Sequence, residues 1–172
     1  SLEEILRVRD MQDPAGAQPS HVLTETESND RQSLANPFNL GGDDTIQLKG
    51  TSRSDRDNDY FVFTPSVSGA LTVNVASPNG NFAALEIEDS ASVDVFETEP
   101  NDDVNSGTAQ VVAGLQYSVR LCSKDTTAAD YEVNLTLNAG PGGGGNPGGT
   151  PGGCEDPNAP NLFAESEAND TK

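Results

Sequence analysis

The sequence predicts an all-β domain, an antiparallel β-sandwich of jelly-roll type, and three observations carry that prediction. Short runs of alternating apolar and polar residues, separated by turn residues, fill residues 45–137, the pattern of half-buried strands. Eight of the nine aromatic residues fall between Phe38 and Tyr131, so the apolar content is concentrated in one stretch. Nine of the 17 glycines crowd into residues 140–153, a flexible Gly/Pro-rich tether with nothing to bury.

Taken in order, residues 1–12 read as a short helix. Ser1 and Glu4 have the capping-box spacing, Leu2, Ile5 and Leu6 recur at helical period, and Asp13-Pro14 stops the run. Residues 1–22 are therefore assigned to an N-terminal helix and linker, and residues 23–138 to the sandwich. Strands are expected near 45–48, 60–64, 70–76, 82–88, 93–97, 109–112, 116–122 and 131–137. Gly-Asp-Asp at 42–44, Pro-Asn-Gly-Asn at 78–81, Pro-Asn-Asp-Asp at 100–103 and Ala-Gly at 113–114 supply turns. Leu71, Val73 and Val75 point to one face of their strand, as do Tyr131, Val133, Leu135 and Leu137 of theirs. A domain of about 115 residues buries a core unaided. Residues 139–160 are the linker. Residues 161–172 read as the truncated start of a second repeat, because Glu25-Thr-Glu-Ser-Asn-Asp30 recurs as Glu165-Ser-Glu-Ala-Asn-Asp170, 140 residues later. The chain reads as a piece of something longer.

Charge narrows the function. Nine Lys and Arg against 28 Asp and Glu leave a net charge of -19, which excludes a nucleic-acid binder that must displace counterions from phosphate. No basic residue occurs between Arg56 and Arg120. An anionic membrane surface is disfavoured for the same reason, and no membrane insertion is expected without an apolar run of about 18 residues.

Catalysis lacks its parts. The single histidine, His21, precedes the expected domain, so a nucleophile has almost no supply of base. No HExxH, GxSxG or phosphate-cradling glycine loop occurs. Glu86 and Glu88 read as the solvent face of a strand rather than as a glycosidase pair.

The carboxylates have a pattern. Glu25, Glu27, Asn29 and Asp30 place four hard oxygen donors within six residues, and Asp55, Asp57 and Asp59 follow at period two. Calcium takes six to eight such oxygens, and in extended backbone positions 25, 27 and 29 share a side. The spacing admits two readings, a cation site or two solvated acidic loops. A third run, Glu97-Thr-Glu-Pro-Asn-Asp102, sits inside the domain and reads as an acidic hairpin turn. If it held an ion, Glu97, Glu99, Asn101, Asp102 and Asp103 would be its donors.

These residues carry a resemblance. The opening ExExND, the Asp57-Asn-Asp-Tyr-Phe-Val-Phe63 strand, Gly69, Gly114-Leu-Gln-Tyr-Ser-Val-Arg120 and Ala129-Asp-Tyr-Glu-Val133 together resemble the bacterial pre-peptidase C-terminal domain over about residues 23–138. That family includes the collagen-binding domains of secreted collagenases. The resemblance implies a jelly-roll sandwich appended to an exported protein, with calcium held by Glu25, Glu27, Asn29 and Asp30 and completed by Asp57 and Asp59 in preference to Asp55. Collagen recognition does not carry over, because the chain has three Tyr and no Trp, and Tyr117 and Tyr131 sit on alternating strands that assign them to core or edge packing.

Cys122 and Cys154 are the two cysteines. They either bridge the linker back to the sandwich, as an exported protein allows, or stay separate. The expectation is a non-catalytic, calcium-binding accessory module of a secreted or cell-surface bacterial protein, aiding stability, secretion or targeting. The alternative is a module binding an extracellular polysaccharide or protein matrix without a required metal.

Overall fold

The computed structural model describes residues 21–81, 83–98, 106–123 and 126–141. The helix expected over residues 1–12, Cys154, the second repeat, the turn at residues 99–103 and the linker beyond residue 141 lie outside the described residues.

Ten strands occur among the described residues: β1 His21–Thr24, β2 Asn36–Leu40, β3 Thr45–Ser52, β4 Asn58–Pro65, β5 Gly69–Ala76, β6 Ala83–Asp89, β7 Asp94–Thr98, β8 Ser106–Val111, β9 Tyr117–Ser123 and β10 Ala129–Ala139. A 3-10 turn at Gln32–Leu34 joins β1 to β2. The strands form two five-stranded sheets, the first in the order β1-β3-β10-β5-β8 and the second β2-β4-β9-β6-β7. All eight expected strands are present, and the sandwich is the architecture the alternation predicts.

Two edges differ from the expectation of a purely antiparallel fold. β1 runs parallel to β3, and β2 runs parallel to β4. Neither strand has a pattern to find: β1 has four residues, and β2 contains Pro37. Proline lacks an N–H and is tolerated because β2 is an edge strand. The first strand also begins at His21, before the expected boundary at residue 23.

The core lies between the sheets. Leu48, Leu71, Val73, Val133 and Leu135 of the first sheet meet Phe61, Leu85, Ile87, Val119 and Leu121 of the second, all fully buried. Both alternating runs singled out in the sequence face this core. Phe63 stacks on Phe38 and Tyr117 at ring-centroid distances of 5.0 and 5.5 Å, and the Phe61 ring meets Tyr131 edge-on at 6.4 Å. Aromatic pairs of this kind add about 0.5–1.5 kcal/mol each beyond their burial.

Glu86 corrects another expectation. It lies on the outer face of the second sheet, as predicted, yet it is buried, with its carboxylate 2.5 Å from Arg120 Nη2. Arg120 also donates to the Tyr60 hydroxyl at 3.4 Å. Burial, with Asp94 alongside, pushes the Glu86 carboxyl up to about 8, and Arg120 offsets part of that rise.

Gly69 marks the closest approach of two strands. A methyl group there would collide with the Asn138 carbonyl oxygen of β10. Gly69→Ala should therefore cost about 1–3 kcal/mol through overpacking. Gly140→Ala, where nothing lies within 4 Å of the added carbon, should stay within about 0.5 kcal/mol of wild type. Urea unfolding of both variants checks the contrast, and equal midpoints would contradict it.

Candidate metal centre

The segment from Glu25 to Asp30 leaves β1 on the edge of one sheet and leads to β2 on the edge of the other. It therefore spans one open end of the sandwich. Its main chain is held to both sides: Glu25 N–H donates to the Lys49 carbonyl at 2.8 Å, and the Asn29 carbonyl accepts from Tyr60 N–H at 3.1 Å. Asn36, at the start of β2, clamps the middle. Its Oδ1 accepts from Thr26 N–H at 2.8 Å and from Asn29 Nδ2 at 3.4 Å, and its Nδ2 donates to the Thr26 carbonyl at 3.2 Å.

This course brings five of the six candidate residues into two groups. Carboxylate oxygens of Glu25, Glu27 and Asp59 lie within 4.8 Å of one another, and so do those of Glu27, Asp30 and Asp57. Glu27 belongs to both groups, and Asp55 belongs to neither. The sixth candidate, Asn29, is fully buried between Glu27 and Asp30 in the chain. The turn that delivers Asp57 is closed by Asp57 N–H donating to the Ser54 carbonyl and Ser52 Oγ donating to the Asp57 carbonyl, at 3.1 and 2.7 Å.

Asp59 sits on the core-facing side of β4, in step with Phe61 and Phe63, and is fully buried. Neither of its carboxylate oxygens makes a hydrogen bond of good geometry, although the Tyr131 hydroxyl lies near enough to draw its carboxyl down in part, and Asn29 Oδ1 is also without a partner. Buried polar groups left this way are rare and costly. Burial first, then the neighbouring Glu25 charge and to a lesser degree Asp57, push the Asp59 carboxyl up to about 9. Two carboxylates about 5 Å apart repel by roughly 3 kcal/mol at an effective dielectric near 20. Such a cluster holds together only by taking up protons or cations.

Tyr131, expected in core or edge packing, is in the core at 1% exposed, and its hydroxyl has a second role. It donates to Glu25 Oε2 at 2.6 Å, while Thr51 N–H donates to Glu25 Oε1 at 3.0 Å. Burial and the charges of Asp59 and Glu25 raise the tyrosine far above its ordinary value, so it stays a hydroxyl donor. Gly50 faces Tyr131 across the β3–β10 pair. A side chain at Gly50 would collide with both the Tyr131 hydroxyl and the Glu25 carboxylate. A lone glycine inside a strand signals such a close approach, and it was the one available sequence cue to this contact.

A third acidic group, Glu86, Glu88 and Asp94, lies on the outer face of the second sheet. Arg120 already supplies its positive charge. Cys122, on the same face, is disulfide-bonded, and no described cysteine is a thiol.

Asp59 gives the centre a pH dependence with a defined sign. Its folded value, about 9, lies above the ordinary 3.8, so between these values the folded state binds more protons than the unfolded chain. Stability is fully present below about pH 4 and is lost as pH rises through about 9. In chelator-treated protein, Asp59→Asn should flatten this part of the decline. Melting temperatures of both proteins from pH 4 to 9 test it, and parallel curves would contradict it.

No protein-family model matches the chain, and no curated protein matches it. Among solved structures it is similar to the pre-peptidase C-terminal domain of a collagenase from Bacillus anthracis, at 13% identity and a TM-score of 0.47, over 59% of this chain and 96% of that one. It is similar also to PliG, a periplasmic inhibitor of g-type lysozyme from Aeromonas hydrophila, at 11% identity and a TM-score of 0.44, over 60% and 99% of the two chains. The Yersinia pseudotuberculosis-derived mitogen matches at 12% identity and a TM-score of 0.43, over 57% and 89%.

Proposed function

We propose that this chain is a non-catalytic β-sandwich module of a secreted or cell-surface protein, and that calcium bound by Glu25, Glu27, Asn29, Asp30, Asp57 and Asp59 pins its N-terminal segment across the two sheets. The observation that carries this reading is the trio of buried oxygens, both of Asp59 and Oδ1 of Asn29, that make no hydrogen bond of good geometry. Buried acceptors left in this way, beside further carboxylates, are the surroundings a hard cation requires. An all-oxygen donor set of more than four side chains favours calcium over zinc, which prefers nitrogen and sulfur in a tetrahedron, and over magnesium, which usually keeps several waters. The disulfide at Cys122 supports an oxidising, exported setting.

The role of the ion is mechanical. It neutralises carboxylates on the segment and on β4 together, so the edge strand of each sheet is fastened through one centre, and stability rises by mass action. At calcium concentrations about 100-fold above the dissociation constant, the gain is about 2.7 kcal/mol, or roughly 10 °C in melting temperature. Scanning calorimetry of the full chain with calcium and with chelator checks this. Wild type should shift, Glu27→Gln combined with Asp59→Asn should not, and an unshifted wild type would sink the reading.

A second reading, binding of a neutral polysaccharide, is favoured by the outer face of the first sheet. Thr45, Thr136, Thr72 and Thr108 stand in one row across four strands, and Gln47, Asn134, Asn74 and Ser106 stand in the next. Cross-strand hydrogen bonds order these side chains: the Thr45 and Thr136 hydroxyls lie 2.8 Å apart, and Gln47 Nε2 donates to Asn134 Oδ1 at 3.2 Å. Uncharged hydroxyls and amides suit a ligand made of hydroxyls. A glycan array should reveal binding that Thr72→Glu with Asn134→Glu abolishes, whereas silence at high micromolar protein would remove this reading. Collagen is not proposed, because Tyr117 and Tyr131 face the core.

A further inference from the structure

Arg53 occupies a particular place in the centre. Its guanidinium Nη1 lies 2.8 Å from Glu27 Oε1, and Glu27 is the carboxylate shared by both acidic groups. The main chain of the same residue is fixed to the second group, since Arg53 N–H donates to Asp57 Oδ2 at 2.6 Å. The closed turn from Ser52 to Asp57 keeps the side chain within reach. Tethered in this way, the guanidinium acts at a high effective concentration. Its side chain is also 65% exposed, against 32% for Glu27, so it can withdraw into water without leaving a buried charge behind.

We propose that Arg53 is a built-in competitor for the cation, an internal positive charge that occupies Glu27 in the cation-free protein and must yield when calcium binds. The inference rests on the calcium reading above and deepens it: Arg53 sets the concentration at which the segment locks. Its two attachments have different fates. The Nη1 contact on Glu27 competes with the ion for one oxygen. The main-chain bond to Asp57 draws only on one carboxylate oxygen and leaves the other for the ion. Arg53 therefore stabilises the cation-free site and thereby weakens net binding, while the turn that presents Asp57 persists in both states.

The contact is an exposed ion pair, which fixes the expected size of the effect. Losing the competitor should tighten calcium binding by about two- to fivefold. Titration calorimetry of the full chain with calcium chloride at low salt provides the test, with wild type, Arg53→Gln and Arg53→Lys compared. Arg53→Gln should bind more tightly and Arg53→Lys, which keeps the charge, should stay close to wild type. The gap should close near 1 M salt, where the screening length is about 3 Å. A packing role would not follow charge and salt in this way. Equal or weaker calcium binding by Arg53→Gln, with wild-type binding intact, overturns the role of Arg53 and leaves the calcium site standing. An absence of wild-type binding at millimolar calcium overturns both.

Discussion

The constraint on which this end of the molecule depends is a carboxylate in the wrong medium. Asp59 lies on the core-facing side of β4, fully buried, with no hydrogen bond of good geometry on either oxygen. An isolated charge there is prohibitively costly, so the group must either hold a proton or share a counter-ion. The neighbouring carboxylates sharpen that requirement. Glu25 is drawn against it by β1, Glu27 and Asn29 are brought over it by the crossing segment, and Asp57 is delivered by the turn that begins the same strand. The acidic groups are thus consequences of a topology that sends one segment across the open end of a sandwich.

The core and the centre are coupled through Tyr131. Its ring packs edge-on against Phe61, and its hydroxyl leaves the core to hold Glu25. Gly50 provides the space for both. Side chains in a close-packed interior occupy fixed rotamers, so the position of Glu25 inherits the rigidity of the two central strand pairs. Of the remaining carboxylates, Asp59 lies on β4, and Glu27, Asp30 and Asp57 lie on the connecting segments.

The fold was legible wherever alternation was long enough to read. β5 and β10 carry their pattern openly, and all eight strands expected from it exist. β1 and β2 were invisible because four residues, or five with a proline, hold no period, and because parallel pairing depends on a crossover that local sequence does not encode. Spacing marked the acidic runs, and the resemblance supplied the preference for Asp57 and Asp59 over Asp55, which stands apart from both acidic groups. Tyr131, Asn36 and Arg53 were missed for a common reason: their contacts with the segment span 106, 10 and 26 residues, and nothing at those separations marks a partner in one dimension. Glu86 was misread because its burial depends on Arg120, 34 residues away on a neighbouring strand.

The two parallel strands have a consequence for how the molecule behaves among its own copies. β3 and β4 have eight residues each, long enough to template pairing with another chain, and each is covered on its outer side by a short strand of the N-terminal segment. β1 and β2 are poor templates themselves, one for its brevity and the other for Pro37. The segment is therefore a pair of edge guards joined by one short connection. If it detaches, two long edges are bared on opposite sheets. Detachment of the segment would then register as self-association before the core itself had lost any packing.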